Sequence, residues 1–233
     1  GTTTQVVDVG GDPEHAWTLG EVDAAGRFVR TFVPGLAPHA VQDAAGTRFV
    51  VSSYYSHELQ VFSLDGKLAQ TVAMPTADDT APALVFGPDG RSVVAFTDNQ
   101  RMVTVPLDGS PAVEHALAKV KVLSGHALRV GTDRVLFYDT ANAAMVADDG
   151  KVRWTSRLGN EGLSLVPGAE AIAIVRLNKK LITFLSLADG KELASVKIKI
   201  KVSPLGFACS RNVAAWAREG AVEEGAVGAG TGT

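Results

Sequence analysis

Cysteine is almost missing from this chain. Its 233 residues contain one, Cys209. A lone thiol builds neither a disulfide framework nor a cysteine zinc site. Within FACS (207–210) it reads as a small packing residue. Covalent c-type haem is excluded because no CxxCH run occurs. HExxH, an EF-hand loop and GxSxG are also absent, which removes the usual motifs for zinc hydrolysis, calcium binding and a serine nucleophile. GGD (10–12) lacks the spacing of a dinucleotide or Walker loop, so no cofactor is expected. No apolar run reaches the roughly 18 residues of a membrane span. Neither sign of charge dominates. Lys plus Arg number 22 and Asp plus Glu 25, and the net charge of −3 offers no field for nucleic acid. What remains is ordinary globular material, 46% hydrophobic and 20% charged, a composition that folds rather than staying disordered. The length alone allows one large domain or two small ones.

A period is present. EVDAAGRFVRTF, VFSLDGKLAQTV, TVPLDGSPAVEH, MVADDGKVRWTS and LSLADGKELASV each read as apolar strand, glycine turn, second strand. Their glycines are Gly26, Gly66, Gly109, Gly150 and Gly190, and the steps from one to the next are 40, 43, 41 and 40. Asp65, Asp108, Asp149 and Asp189 precede four of them. Asp-Gly between alternating apolar residues is a strong hairpin signal, because both residues tolerate positive φ. A second ladder runs out of phase: APHAVQ (37–42), APALVF (81–86), SGHALR (124–129), EGLSLV (161–166) and SPLGFA (203–208). After each comes a short, very apolar run: RFVVSSY (48–54), SVVAFTD (92–98), RVLFYDT (134–140), AIAIVRL (171–177) and NVAAWAR (212–218). These runs are β-branched, aromatic and too short for helices.

Each repeat therefore holds four strands, and no segment keeps a helical period. Four antiparallel strands in a unit of roughly 40–45 residues make the blade of a β-propeller. One such sheet cannot bury both faces alone, whereas blades set side by side bury them against each other. The second strand, apolar at almost every position, suits a centre covered on both faces. Complete blades are expected at 37–72, 81–117, 124–158 and 161–200. The ends, 5–33 and 203–218, are expected to combine into a fifth, mixed blade. The alternative is a stretch of a six- or seven-bladed ring, and a domain of a longer polypeptide. The propeller is placed at 1–219, with 220–233 a Gly-rich tail or linker; AVEEGAVG (221–228) also fits a weak further strand.

The segment VSSYYSHELQVFSLDGKLAQTVAMP (51–75) resembles the YVTN-type repeat of bacterial propellers, and TDNQRMVTVPLDG (97–109) and RLNKKLITFLSLADG (176–190) repeat its shape. The chain as a whole is similar to the WD40-like, YVTN and quinoprotein-like propeller group over residues 5–219. No blade has the paired Gly-His and Trp-Asp of strict WD40 repeats; SGHA (124–127) is a fragment of it. The resemblance implies a fold shared by scaffolds, lactonases, dehydrogenase subunits and sensors, so it selects no activity.

Candidate chemistry is sparse. His39 and His126 hold the same position, third in the lead-in to the first strand, where the other blades carry Ala83, Leu163 and Leu205. Two imidazoles at a channel mouth suit ligand binding or proton transfer, but no full metal set forms. Tyr54, Tyr55 and His57 make an aromatic loop suited to a protein contact. ADDT (77–80) and ADDG (147–150) pair acids without calcium-loop spacing. Lys197, Lys199 and Lys201 in KIKIKV (197–202), echoed by Lys119 and Lys121, read as charged protection of an outer strand edge or a patch for an acidic partner.

The expectation is a non-catalytic binding or scaffold propeller, with loop faces for a protein partner or a small ligand. The competing expectation is a lactonase-like or quinoprotein-like enzyme, or enzyme subunit, with His39 and His126 at the channel. The chain opens GTTTQ without a charged or apolar leader region. A single cysteine leans toward an extracytoplasmic compartment, periplasmic or secreted.

Overall fold

The computed structural model describes residues 5–9, 18–22, 28–33, 38–53, 57–75, 81, 83–117, 120–122, 125–158, 162–166, 169–176, 179–197, 206–209, 213–218 and 221–226. They form six antiparallel sheets, and no α-helix occurs among them. The first sheet joins β1 (Gln5–Val9), β2 (Thr18–Val22) and β3 (Phe28–Val33). The second joins β4 (Pro38–Gln42), β5 (Arg48–Ser53), β6 (Glu58–Ser63) and β7 (Leu68–Ala73). The third joins β8 (Ala83–Phe86), β9 (Ser92–Phe96), β10 (Arg101–Pro106) and β11 (Val113–Ala116). The fourth joins β12 (His126–Val130), β13 (Arg134–Tyr138), β14 (Asn142–Ala147) and β15 (Val152–Arg157). The fifth joins β16 (Gly162–Leu165), β17 (Ala171–Arg176), β18 (Leu181–Ser186) and β19 (Glu192–Lys197). The last joins β20 (Gly206–Cys209), β21 (Val213–Arg218) and β22 (Ala221–Ala226). The fold is thus the expected β-propeller of four-stranded antiparallel blades, with complete blades at the four predicted places.

The ends pair differently from the expectation of a mixed sheet. Each end forms its own three-stranded sheet among the described residues. Pairing with a chain neighbour closes a short loop, which costs less entropy than joining strands about 200 residues apart. β22 is the further strand that AVEEGAVG allowed. β1 lies against β4, an inner position beside the next blade's first strand.

The turns repeat from blade to blade. At one end, the turn between third and fourth strands donates back to the turn between first and second. Leu64 N–H bonds Thr47 C=O (3.1 Å), Leu107 bonds Arg91 (2.8 Å), Asp148 bonds Asp133 (3.0 Å) and Leu187 bonds Glu170 (2.9 Å). At the other end, the residue after the fourth strand bonds the turn between second and third strands: Met74 to His57 (2.8 Å), Leu117 to Gln100 (2.8 Å) and Leu158 to Ala141 (2.7 Å).

The Asp-Gly turns form the expected hairpins with one left-handed residue each, the glycine. φ is +83° at Gly66, +86° at Gly109, +78° at Gly150 and +71° at Gly190, while none of the preceding aspartates is positive. Gly66 N–H bonds Ser63 C=O at 2.8 Å, and Ser63 N–H bonds Lys67 C=O at 3.0 Å. That pairing is a type I turn closed by a glycine bulge. The aspartate instead accepts the N–H two residues on, as Asp108 does from Ser110 and Asp149 from Lys151.

The chain divides into two compact units. One comprises residues 1–137 and 146–151, the other 138–145 and 152–233. In the first, Val50, Leu59 and Val61 pack against Leu84, Phe86, Val93, Ala95, Val103 and Val105. Strand alternation sends Val94 and Phe96 to the opposite face of β9. There Phe96 meets Phe137 with ring centroids 5.0 Å apart. β8 lies between β4 and β12 and is buried along its whole length. In the second unit, Ala171, Ala173, Val175 and Ile182 form a core with Phe184 and Val196 beside it.

Candidate ligand cleft

β4, β8 and β12 run side by side in the first unit, so equivalent residues of the three repeats meet. The sixth lead-in position supplies Gln42, Phe86 and Arg129, all at the end where first strand turns into second. These residues and the three turns after them, 43–47, 87–90 and 131–132, enclose a cleft of about 870 Å³. Val41, Val85 and Phe86 give it apolar walls, and Arg48 and Arg129 bring the two cations.

Arg48 opens β5 and shares a strand face with Val50, which directs it toward the blade of β8–β11. Its Nε donates to Asp43 Oδ2 at 3.2 Å. Its Nη2 donates to Gly90 C=O. Its Cζ lies 5.6 Å from the centre of the Phe86 ring, within the reach of a cation–π contact. Asp43 is buried and closes its own turn. It accepts from Thr47 N–H (2.8 Å), Thr47 Oγ1 (2.9 Å), Arg48 N–H (3.3 Å) and Arg48 Nε. Burial pushes its carboxyl up, but these hydrogen bonds outweigh burial and hold it below the ordinary aspartate value.

Arg129 projects from the end of β12. Its Nη1 donates to Asp148 Oδ1 at 2.6 Å, and its Nε reaches Phe86 C=O at 3.4 Å. Its Nη2 is buried without a hydrogen-bond partner among the described residues. A smaller cavity of about 200 Å³ lies on the other side, and Gly87, Pro88 and Arg129 line both spaces.

The predicted site residues lie at the opposite end. His39 is half-buried in β4, across from Ser52, and His126 begins β12 exposed. β8, carrying Ala83, stands between their strands, and its burial separates them by a full strand. Desolvation lowers the His126 pKa. His57 is exposed after the loop, and Tyr54 and Tyr55 lie outside the described residues. No group of three metal-ligating side chains occurs among the described residues. Of the predicted lysines, Lys197 ends the exposed outer strand β19. Exposed Lys121 follows β11 between buried Val120 and Val122, off any strand. Lys119, Lys199 and Lys201 lie outside the described residues. The arginines escaped the sequence reading because weight fell on the third lead-in position. The signal was in the same ladder, three residues on, where Arg129 is the one charged residue beside Gln42, Phe86, Val166 and Ala208.

The architecture and cleft define a β-propeller with a turn-end pocket. No protein-family model and no curated protein matches the chain. Among solved structures, 1276 chains match, too many for the fold to select one activity. One is virginiamycin B lyase of Staphylococcus aureus, in a catalytically inactive form with quinupristin. It is 12% identical, with a TM-score of 0.66 over 96% of this chain and 88% of that one. That likeness shows the fold.

Proposed function

We propose that this chain is a non-catalytic binding propeller whose ligand enters the turn-end cleft. The cleft itself carries the reading. Its volume falls within the range of about 300–1000 Å³ usual for small-molecule sites, its walls are apolar, and its few polar groups converge from three blades. No histidine, cysteine or serine lines it among the described residues, so it offers orientation rather than a nucleophile. The test is a titration of the isotope-labelled full chain with mixed neutral and anionic aromatic fragments, followed by amide shifts. Shifts gathered at 43–48, 86–90 and 129–132 are expected. Shifts confined to the other end would overturn the reading.

The enzyme reading keeps one supporting observation. Desolvation lowers the His126 pKa, which favours the neutral ring that a proton acceptor needs. His39→Ala with His126→Ala, combined with metal analysis, separates the two: a binding propeller keeps its fragment shifts. A protein contact at Tyr54, Tyr55 and His57 is tested by partner capture after Tyr54→Ala and Tyr55→Ala.

A further inference from the structure

We infer that the cleft is selective for a small organic monoanion, with a carboxylate bound by Arg129 and an apolar body lying along Phe86. This rests on the cleft being the ligand site. The side chain of Arg129 is 15% exposed and only partly used. Nη1 is taken by Asp148, which lines the smaller cavity but not the cleft. Nε has only the 3.4 Å contact to Phe86 C=O, and Nη2 has no partner among the described residues. A buried cationic N–H without an acceptor is costly, and a ligand carboxylate is the strongest planar acceptor for it.

The other charges of the cleft are committed. Asp43 closes its own turn and neutralises Arg48, and Asp89 accepts Arg91 N–H at 2.9 Å. Arg129, whose Nη2 has no partner among the described residues, therefore lines the space with hydrogen-bonding capacity left over from its pair with Asp148. A phosphate dianion would bring a second charge toward Asp43 and Asp89 with no cation to meet it. Val41, Val85 and Phe86 would leave such a hydrophilic ion without matching surface.

The experiment titrates the full chain at low salt with phenylacetate, phenylacetamide and inorganic phosphate, reading affinity by calorimetry and location by amide shifts. Phenylacetate should bind about tenfold more tightly than its amide, as one charge-assisted bond predicts, and phosphate more weakly than either. Arg129→Gln combined with Asp148→Asn removes the ion pair as a unit. It should reduce the acid to the level of the amide. Arg129→Lys, which keeps the charge, should retain part of the preference and serves if the double variant unfolds. Equal binding of acid and amide at the cleft would overturn the charge selectivity and leave the binding site standing. Phosphate binding as tight as phenylacetate would overturn the apolar half. Absence of cleft shifts with both aromatic compounds would overturn the site itself.

Discussion

Two glycines of the Asp-Gly turns serve a second purpose beyond their left-handed backbone. A Cβ on Gly150 would collide with the His115 ring, and one on Gly190 would come within 2.8 Å of the Trp154 ring, whereas a Cβ on Gly109 would meet nothing within 4 Å. A ring on one fourth strand thus rests on the next blade's turn, and Trp154 Nε1 also donates to Leu187 C=O at 3.0 Å. Gly109→Ala should therefore cost only the left-handed penalty, about 1 kcal/mol. Gly190→Ala should cost more, about 3 kcal/mol, because the ring must also move. Chemical denaturation of the two variants checks the order. Asp43→Ala should cost about 2–3 kcal/mol at neutral pH by stranding the Thr47 and Arg48 N–H groups. The folded-state pKa of Asp43 is depressed, so its contribution is complete above the unfolded value of 3.8 and vanishes as pH falls through the lower folded value. Denaturation at pH 7 and at pH 2 should show the gap between wild type and Asp43→Ala shrinking on acidification.

Strands within a blade differ sharply in what covers them. β9, β13 and β17 are buried at nearly every position, while β7, β11 and β19 alternate or are largely exposed. Hydrogen exchange should follow that gradient, slowest in β9 and β17 and fastest in β11 and β19. Equal protection across a blade would contradict it. This gradient was legible in the sequence, because RFVVSSY, SVVAFTD and AIAIVRL lack the polar alternation of a half-exposed strand. The turn type was not. Asp-Gly is compatible with two left-handed residues or one, and nothing in the dipeptide itself chooses between them. The exposed Leu68, Val113 and Leu193 on the outer strands are separate single residues of the kind most surfaces carry.

Because a blade buries its face against a neighbour, as β5 and β6 do against β8–β10, damage should stay local. Ile174 is fully buried in β17, and Ile174→Ala should cost about 3 kcal/mol. Exchange should rise in β16–β19 while β9 and β10 keep their protection, as expected for a chain of repeats; uniform loosening would count against it. The fold was readable because the repeat period is a one-dimensional property of the chain. The cleft was not readable in the same way. It exists only where three repeats lie together, and Gln42, Phe86 and Arg129 share a repeat position but no chemistry. A search for similar residues at equivalent positions finds His39 and His126 and passes over the place where dissimilar ones converge.

The open hairpin at Gly109 has a practical consequence. A side chain at its tip would touch nothing, while its relatives at Gly150 and Gly190 sit under aromatic rings. A peptide epitope or a fluorescent label grafted between Asp108 and Ser110 would therefore project into solvent. That makes this turn a natural handle for immobilising the protein on a sensor surface while the cleft is titrated.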